Sequence, residues 1–163
     1  PAAPAPPAPP APKPEDQECT IMIRNIPNKY CAPQLLEAFH QEGFEWTYDF
    51  FYLPVDFNNS CNVGYGFINF PRKKDADRFK EAFDGRQLKA FQSKKVLKID
   101  AARVQGLEAN RQHFKNSLVT SSDVSAECKP MLFDTVNRKR LDFPVPEWEL
   151  NGEQRARPQR AAG

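Results

Sequence analysis

The sequence predicts an α+β fold: a four-stranded antiparallel sheet with two helices on one face, in the order βαββαβ, followed by a C-terminal helical extension. Three observations predict it. The octapeptide Val63-Gly64-Tyr65-Gly66-Phe67-Ile68-Asn69-Phe70 reads as a strand, with Tyr65, Phe67 and Asn69 on one face and Ile68 and Phe70 on the other. Upstream, Thr20-Ile21-Met22-Ile23-Arg24-Asn25-Ile26 alternates in the same way, apolar at Ile21 and Ile23 with Met22 and Arg24 turned outward. Two stretches of helical spacing separate such strand-like runs.

The first helix is expected over residues 33–42, with Pro33 tolerated in its first turn, Leu35, Leu36 and Phe39 on its inner side, and Gly43 as a stop. Residues 46–53 follow as the second strand. That strand is aromatic on both faces, Trp46, Tyr48, Phe50 and Tyr52 against Phe51 and Leu53, so periodicity leaves open which set is buried. Residues 54–61, with Asn58 and Asn59, read as a loop. The second helix spans 73–83, apolar at Ala76, Phe79, Ala82 and Phe83, and stops before Asp84-Gly85. Residues 96–102 close the sheet, placing Leu97 and Ile99 inward and Lys98 and Asp100 beside Met22 on the other face. Beyond it, Leu107, Phe114 and Leu118 can line one side of a short helix that packs back on the domain; the other reading is that it lies near the face of the sheet left uncovered by the helices, where it adds ligand contacts through Arg103, Arg111 and Lys115 or gates access.

Helices that cover one face of a sheet leave the other to water or a ligand, and exposed Tyr and Phe there need a reason. Stacked nucleobases supply one. The octapeptide fits seven of the eight positions of the RNP1 pattern, allowing Ile for Val, and the 20–26 strand stands where RNP2 belongs. Together they predict a ferredoxin-like RNA recognition motif (RRM) over residues 19–103 that binds single-stranded RNA. Tyr65 and Phe67 are expected to stack bases, with Met22 packed beside them and Asn69 on the same face. The first RNP1 position is Val63 rather than a basic residue, and Met22 stands where RNP2 usually has an aromatic. The alternative is an RRM whose aromatic face binds a peptide. Catalysis is not expected: Asn25-Ile26-Pro27-Asn28 lacks the glycines of a phosphate cradle, and no nucleophilic triad or paired carboxylates stand out.

The net charge of +2 hides a polarised distribution, with 13 basic and 6 acidic residues between positions 72 and 115 against 3 and 8 before them. A basic segment attracts phosphate. Arg24, Lys94, Lys98 and Arg103 are the expected contacts to phosphate or base edges, with Lys95 nearby; Lys73, Lys74, Arg78 and Lys80 fit a solvated helix back. Residues 1–18 form a Pro/Ala-rich linker, with eight prolines in the first fourteen positions, and a first residue other than Met suggests a piece of a longer chain. An extension over 104–133 and a disordered tail over 134–163 complete the organisation, either offering a surface to a protein partner. Arg138-Lys139-Arg140 is a short basic cluster within that tail. Cys19, Cys31, Cys61 and Cys128 lie 12, 30 and 67 positions apart, without a metal-binding spacing, so reduced thiols and no metal or cofactor are expected. With neither a membrane-length apolar run nor a secretory leader, the expectation is an intracellular monomer, nuclear or cytoplasmic.

Four segments carry a narrower resemblance: residues 20–30, which end Asn25-Ile-Pro-Asn-Lys-Tyr30; Thr47-Tyr-Asp-Phe-Phe-Tyr-Leu-Pro54; residues 61–70; and Ala102-Arg-Val-Gln-Gly106. They are similar to the C-terminal RRM of the Mei-two-like RNA-binding proteins, regulators of meiosis and development. Phe114-Lys-Asn-Ser117 and Lys129-Pro-Met-Leu-Phe133 resemble that family's extension beyond the ordinary RRM. In that family Val63 and Met22 are ordinary. The resemblance implies sequence-selective RNA binding in a post-transcriptional regulator.

Overall fold

The computed structural model describes residues 18–152. The expected linker, apart from Glu18, and the end of the expected tail lie outside the described residues. Inside them, β1 (Thr20–Arg24), α1 (Ala32–Gln41), β2 (Phe50–Tyr52), β5 (Tyr65–Asn69), α2 (Lys73–Phe83) and β6 (Lys98–Ala101) build the predicted plan, and the four strands lie in the order β6-β1-β5-β2. All neighbours are antiparallel.

The alternation that predicts the strands also builds the core. Ile21, Ile23, Phe51, Ile68 and Ile99 point to one side, where Leu35, Leu36 and Phe39 of α1 and Ala76, Phe79 and Phe83 of α2 meet them. Phe39 lies edge-on to Phe79 at 4.9 Å and to Phe83 at 5.0 Å, an arrangement that the aromatic quadrupole favours. At the start of α1 the Cys31 backbone N–H donates to Gln34 Oε1 at 3.1 Å, which satisfies a donor that the helix leaves free.

Two stretches are shorter than their sequence pattern suggests. Trp46 adopts a left-handed φ of 60°, so the chain turns there and only Phe50–Tyr52 pair as β2. Val96 forms a single bridge to Gln87 ahead of β6. The loop predicted over 54–61 contains a small hairpin, β3 (Val55–Asp56) with β4 (Cys61–Asn62). Its turn is held by Asp56, which accepts from the Asn58 backbone and the Asn59 side chain.

The larger departures are C-terminal. α3 (Leu107–Phe114) forms as predicted, but Leu118 belongs to a separate 3₁₀ turn. The sheet has six strands instead of four, because β7 (Met131–Asp134) pairs with β2 and β8 (Lys139–Leu141) pairs with β7. Composition predicts disordered tail from residue 134; the structure instead orders the chain through residue 152. The Asp134 carboxylate accepts from the Asn137 backbone and side chain and from the Val136 backbone to close the β7–β8 turn, and those bonds, the Asn137 ones foremost, hold it below the usual carboxylate range. Phe143 is buried, and α4 (Glu147–Leu150) is tied down where Trp148 Nε1 donates to the Asn116 carbonyl at 3.0 Å.

Candidate nucleic-acid interface

The face of the sheet away from α1 and α2 presents Met22 and Arg24 from β1, Phe50 and Tyr52 from β2, Tyr65, Phe67 and Asn69 from β5, and Lys98 and Asp100 from β6. The C-terminal extension divides it. Phe50 and Tyr52 are buried with Leu132 and Phe143 in a second apolar cluster, and Leu107, Phe114, Val119 and Phe67 pack around them. Phe114 stacks on Phe50 at 5.9 Å and meets Tyr52 edge-on at 4.9 Å. From Phe50 onward both faces of the second strand are therefore buried, Phe51 and Leu53 by the helices and Phe50 and Tyr52 by the extension; ahead of it Tyr48 packs with the helix-side core and Trp46 is half-buried. That burial pushes the Tyr52 hydroxyl up to about 12.

A hydrogen-bonded chain fixes α3 in place. Asn110 Nδ2 and the Gly106 N–H donate to Thr20 Oγ1, at 3.2 and 2.8 Å. The Thr20 hydroxyl donates to Asn69 Oδ1 at 2.6 Å, and Asn69 Nδ2 donates to Asp49 Oδ1 at 2.8 Å. Gln105 grips the Thr20 backbone from both sides, accepting from its N–H at 2.9 Å and donating to its carbonyl at 2.8 Å. These contacts account physically for the Ala102-Arg-Val-Gln-Gly106 segment. They also correct one expectation: Asn69 lies on the predicted face, but it is 2% exposed and both ends of its amide are committed, so it belongs to the anchor and not to an open surface. Burial pushes the Asp49 carboxyl up to about 6, against the lowering effect of the Asn69 bond.

The other half of the face stays open. Tyr65 is 39% exposed, and its ring lies 5.9 Å from that of Phe67, which is half-buried against the second cluster. Met22 sits directly across from Phe67, and Arg24 lies between Tyr65 and Lys98 in register. Arg24 is 3.6 Å from Asp100, and about half of the Arg24 side chain stays exposed to water. Lys98 and Arg103 are exposed at the β6 side of this half, and Lys94 is exposed on the loop before it.

Two hollows open on this half. One, of about 460 Å³, is lined by Met22, Arg24, Asn25, Asn28, Tyr65 and Lys95 together with Val63 and Gly64. Lys95 Nζ donates to Asn28 Oδ1 at 2.9 Å there, whereas Lys94 lines neither hollow. The second, of about 450 Å³, lies between Tyr65, Phe67, Arg103 and the α3 residues His113 and Phe114. Asn25, Asn28 and His113 are absent from the predicted site residues. The signal for the asparagines is the Asn25-to-Tyr30 motif, whose role the hydrogen bonds now show. Asn25 takes a left-handed φ and donates to the Val96 carbonyl, and buried Asn62 donates to the carbonyls of Pro27 and Tyr30. The RNP1 glycines have equally local reasons. Gly64 has a φ of +95°, and a Cβ on Gly66 would stand 3.0 Å from the Tyr52 carbonyl oxygen.

Residues 18–115 match the RNA recognition motif 2 family. The chain belongs to that family. This RRM is 49% identical over 120 residues to Protein MEI2-like 5 of Oryza sativa subsp. japonica, covering 74% of this chain and 14% of that protein. It is 46% identical over 134 residues to Protein MEI2-like 4 of Arabidopsis thaliana, covering 80% of this chain and 14% of that protein. The chain thus spans a small fraction of the length of these curated relatives. Among solved structures, the Rna15 RRM with bound RNA (GU) aligns with a TM-score of 0.47 and 17% identity over 58% of this chain and 93% of that one. Sex-lethal RNA recognition domains 1 and 2 from Drosophila melanogaster align with a TM-score of 0.43 and 20% identity, covering 52% and 50%. Among the described residues of this RRM, no helix is long and apolar enough to cross a membrane, and no cluster of three His, Cys, Asp or Glu side chains could hold a metal.

Proposed function

We propose that this RRM binds single-stranded RNA on the open half of its sheet, with Tyr65 and Phe67 stacking bases beside Met22. The observation that carries this reading is the pair of adjacent aromatic rings, one of them 39% exposed, bordered by Arg24, Lys95, Lys98 and Arg103. Each base presents a flat apolar face, and each base–aromatic stack contributes about 1–3 kcal/mol. The cations add attraction to phosphate that weakens as salt rises. Lys94 acts at longer range from its loop. The work is recognition rather than turnover, in an intracellular, post-transcriptional regulator of the Mei-two-like kind acting in the nucleus or cytoplasm.

The test is fluorescence anisotropy of the full chain with a randomised single-stranded RNA pool and its DNA counterpart, alongside a Tyr65→Ala/Phe67→Ala variant. Binding of the RNA that the folded double variant loses supports the reading. A folded wild-type chain that binds no RNA overturns it and favours a peptide ligand on the same face.

A further inference from the structure

We infer that the cleft between the sheet and α3 is a preformed slot for a single nucleobase that leaves the run of stacked bases. This rests on the reading of the open half-sheet as an RNA site. The cleft has about 450 Å³, within the roughly 300–1,000 Å³ of small-ligand sites. Its walls are aromatic on two sides, Tyr65 and Phe67 from the sheet and Phe114, backed by Tyr52, from the helix. Arg103, Asn110 and His113 bring polar side chains to its lining, beside the Tyr52 and Tyr65 hydroxyls.

Three features choose the occupant. Aromatic walls beside the polar side chains of Arg103, Asn110 and His113 suit a planar ring whose hydrogen-bonding atoms lie on its perimeter, and Arg103 supplies a cation for the phosphate that such a ring carries. The slot is continuous with Tyr65 and Phe67, so a base stacked on the sheet leads directly into it. On the far side the path over β2 is closed, because Phe50 and Tyr52 lie beneath Phe114 and Phe143. A strand that reaches Phe67 cannot continue flat across the sheet; its next base ends there or turns into the cleft.

The wall is also fixed before any ligand arrives. Asn110, Gly106 and Gln105 hold α3 to Thr20 through buried or part-buried hydrogen bonds, so the slot is not a lid that closes on RNA. Phe114 then becomes a determinant of which bases fit.

Two variants test this in the full chain with randomised RNA octamers carrying a fixed 2-aminopurine at the 5′ end, the middle or the 3′ end. Val104→Trp places an indole at the lining, and Phe114→Leu removes an aromatic wall while keeping an apolar side chain over Phe50. In the wild type, one label position is expected to be quenched several-fold more than the others on binding. Val104→Trp should abolish that difference and weaken binding about tenfold with its melting temperature retained, and Phe114→Leu should diminish both. The slot is overturned if both variants keep wild-type affinity and quenching while Tyr65→Ala/Phe67→Ala abolishes binding, a result that leaves the RNA reading standing. Failure of the wild type to bind the octamers overturns the RNA reading itself.

Discussion

Tyr65 and Phe67 share a face but differ in what their removal costs. Tyr65 is the more exposed, so Tyr65→Ala should weaken RNA binding by about 1–3 kcal/mol with an unchanged thermal midpoint. Phe67 also packs against the second cluster, so Phe67→Ala should lose affinity to a similar degree and lower the midpoint as well; parallel titrations and melts of the two variants separate these effects. Lys95→Ala should reduce the slope of log affinity against log salt by about 1, read from titrations at several ionic strengths. Asp49 makes a pH prediction. Its carboxyl is raised from 3.8 to about 6, so between those values the fold keeps a proton that the unfolded chain has released, and stability falls as pH rises across that window. The loss is at most about 3 kcal/mol. Asp49→Asn preserves an acceptor for Asn69 and should remove this dependence, which urea midpoints at pH 4 and pH 7 will reveal.

At the scale of elements, the clearest signals in the sequence come from β1, β5 and the two sheet-covering helices, where the apolar positions picked out by alternation or helical spacing form the core, while Thr20, Asn69 and Asp75 are buried against that pattern. Strand β2 defeats periodicity because an extension distant in sequence covers its second face. For the same reason Asn69 has the expected direction and the wrong environment: alternation states which way a side chain points, not what lies above it. The β7–β8 hairpin is hard to read because its strands have only four and three residues and the second, Lys139-Arg140-Leu141, is exposed throughout. Lys95 and Asn28 meet only through tertiary structure, 67 positions apart. The link between α3 and Thr20 can be broken selectively. Asn110→Ala removes donors to Thr20 and Gly106 and should destabilise the attachment by about 1–3 kcal/mol. Hydrogen exchange should then speed up in residues 107–114 while β1 and β5 keep their protection.

For the whole molecule, the match to the RNA recognition motif 2 family ends at residue 115, but the folded unit does not. Leu132, Phe143 and Val119 complete the second cluster, and β7 covers the edge of β2. A chain cut after residue 115 should melt several degrees lower than the full chain and associate through the uncovered β2, as calorimetry and light scattering would detect. The hairpin also decides what the sheet shows its neighbours. Its outer strands carry Lys98 at one margin and Lys139 with Arg140 at the other. Two copies meeting along β8 would bring Lys139 and Arg140 of each together, a repulsion that salt screens over about 10 Å at 0.1 M, whereas on β6 Asp100 offsets Lys98. The last strand should therefore make any joining of copies along that margin depend on salt, with light scattering expected to show less association in dilute buffer than in concentrated salt.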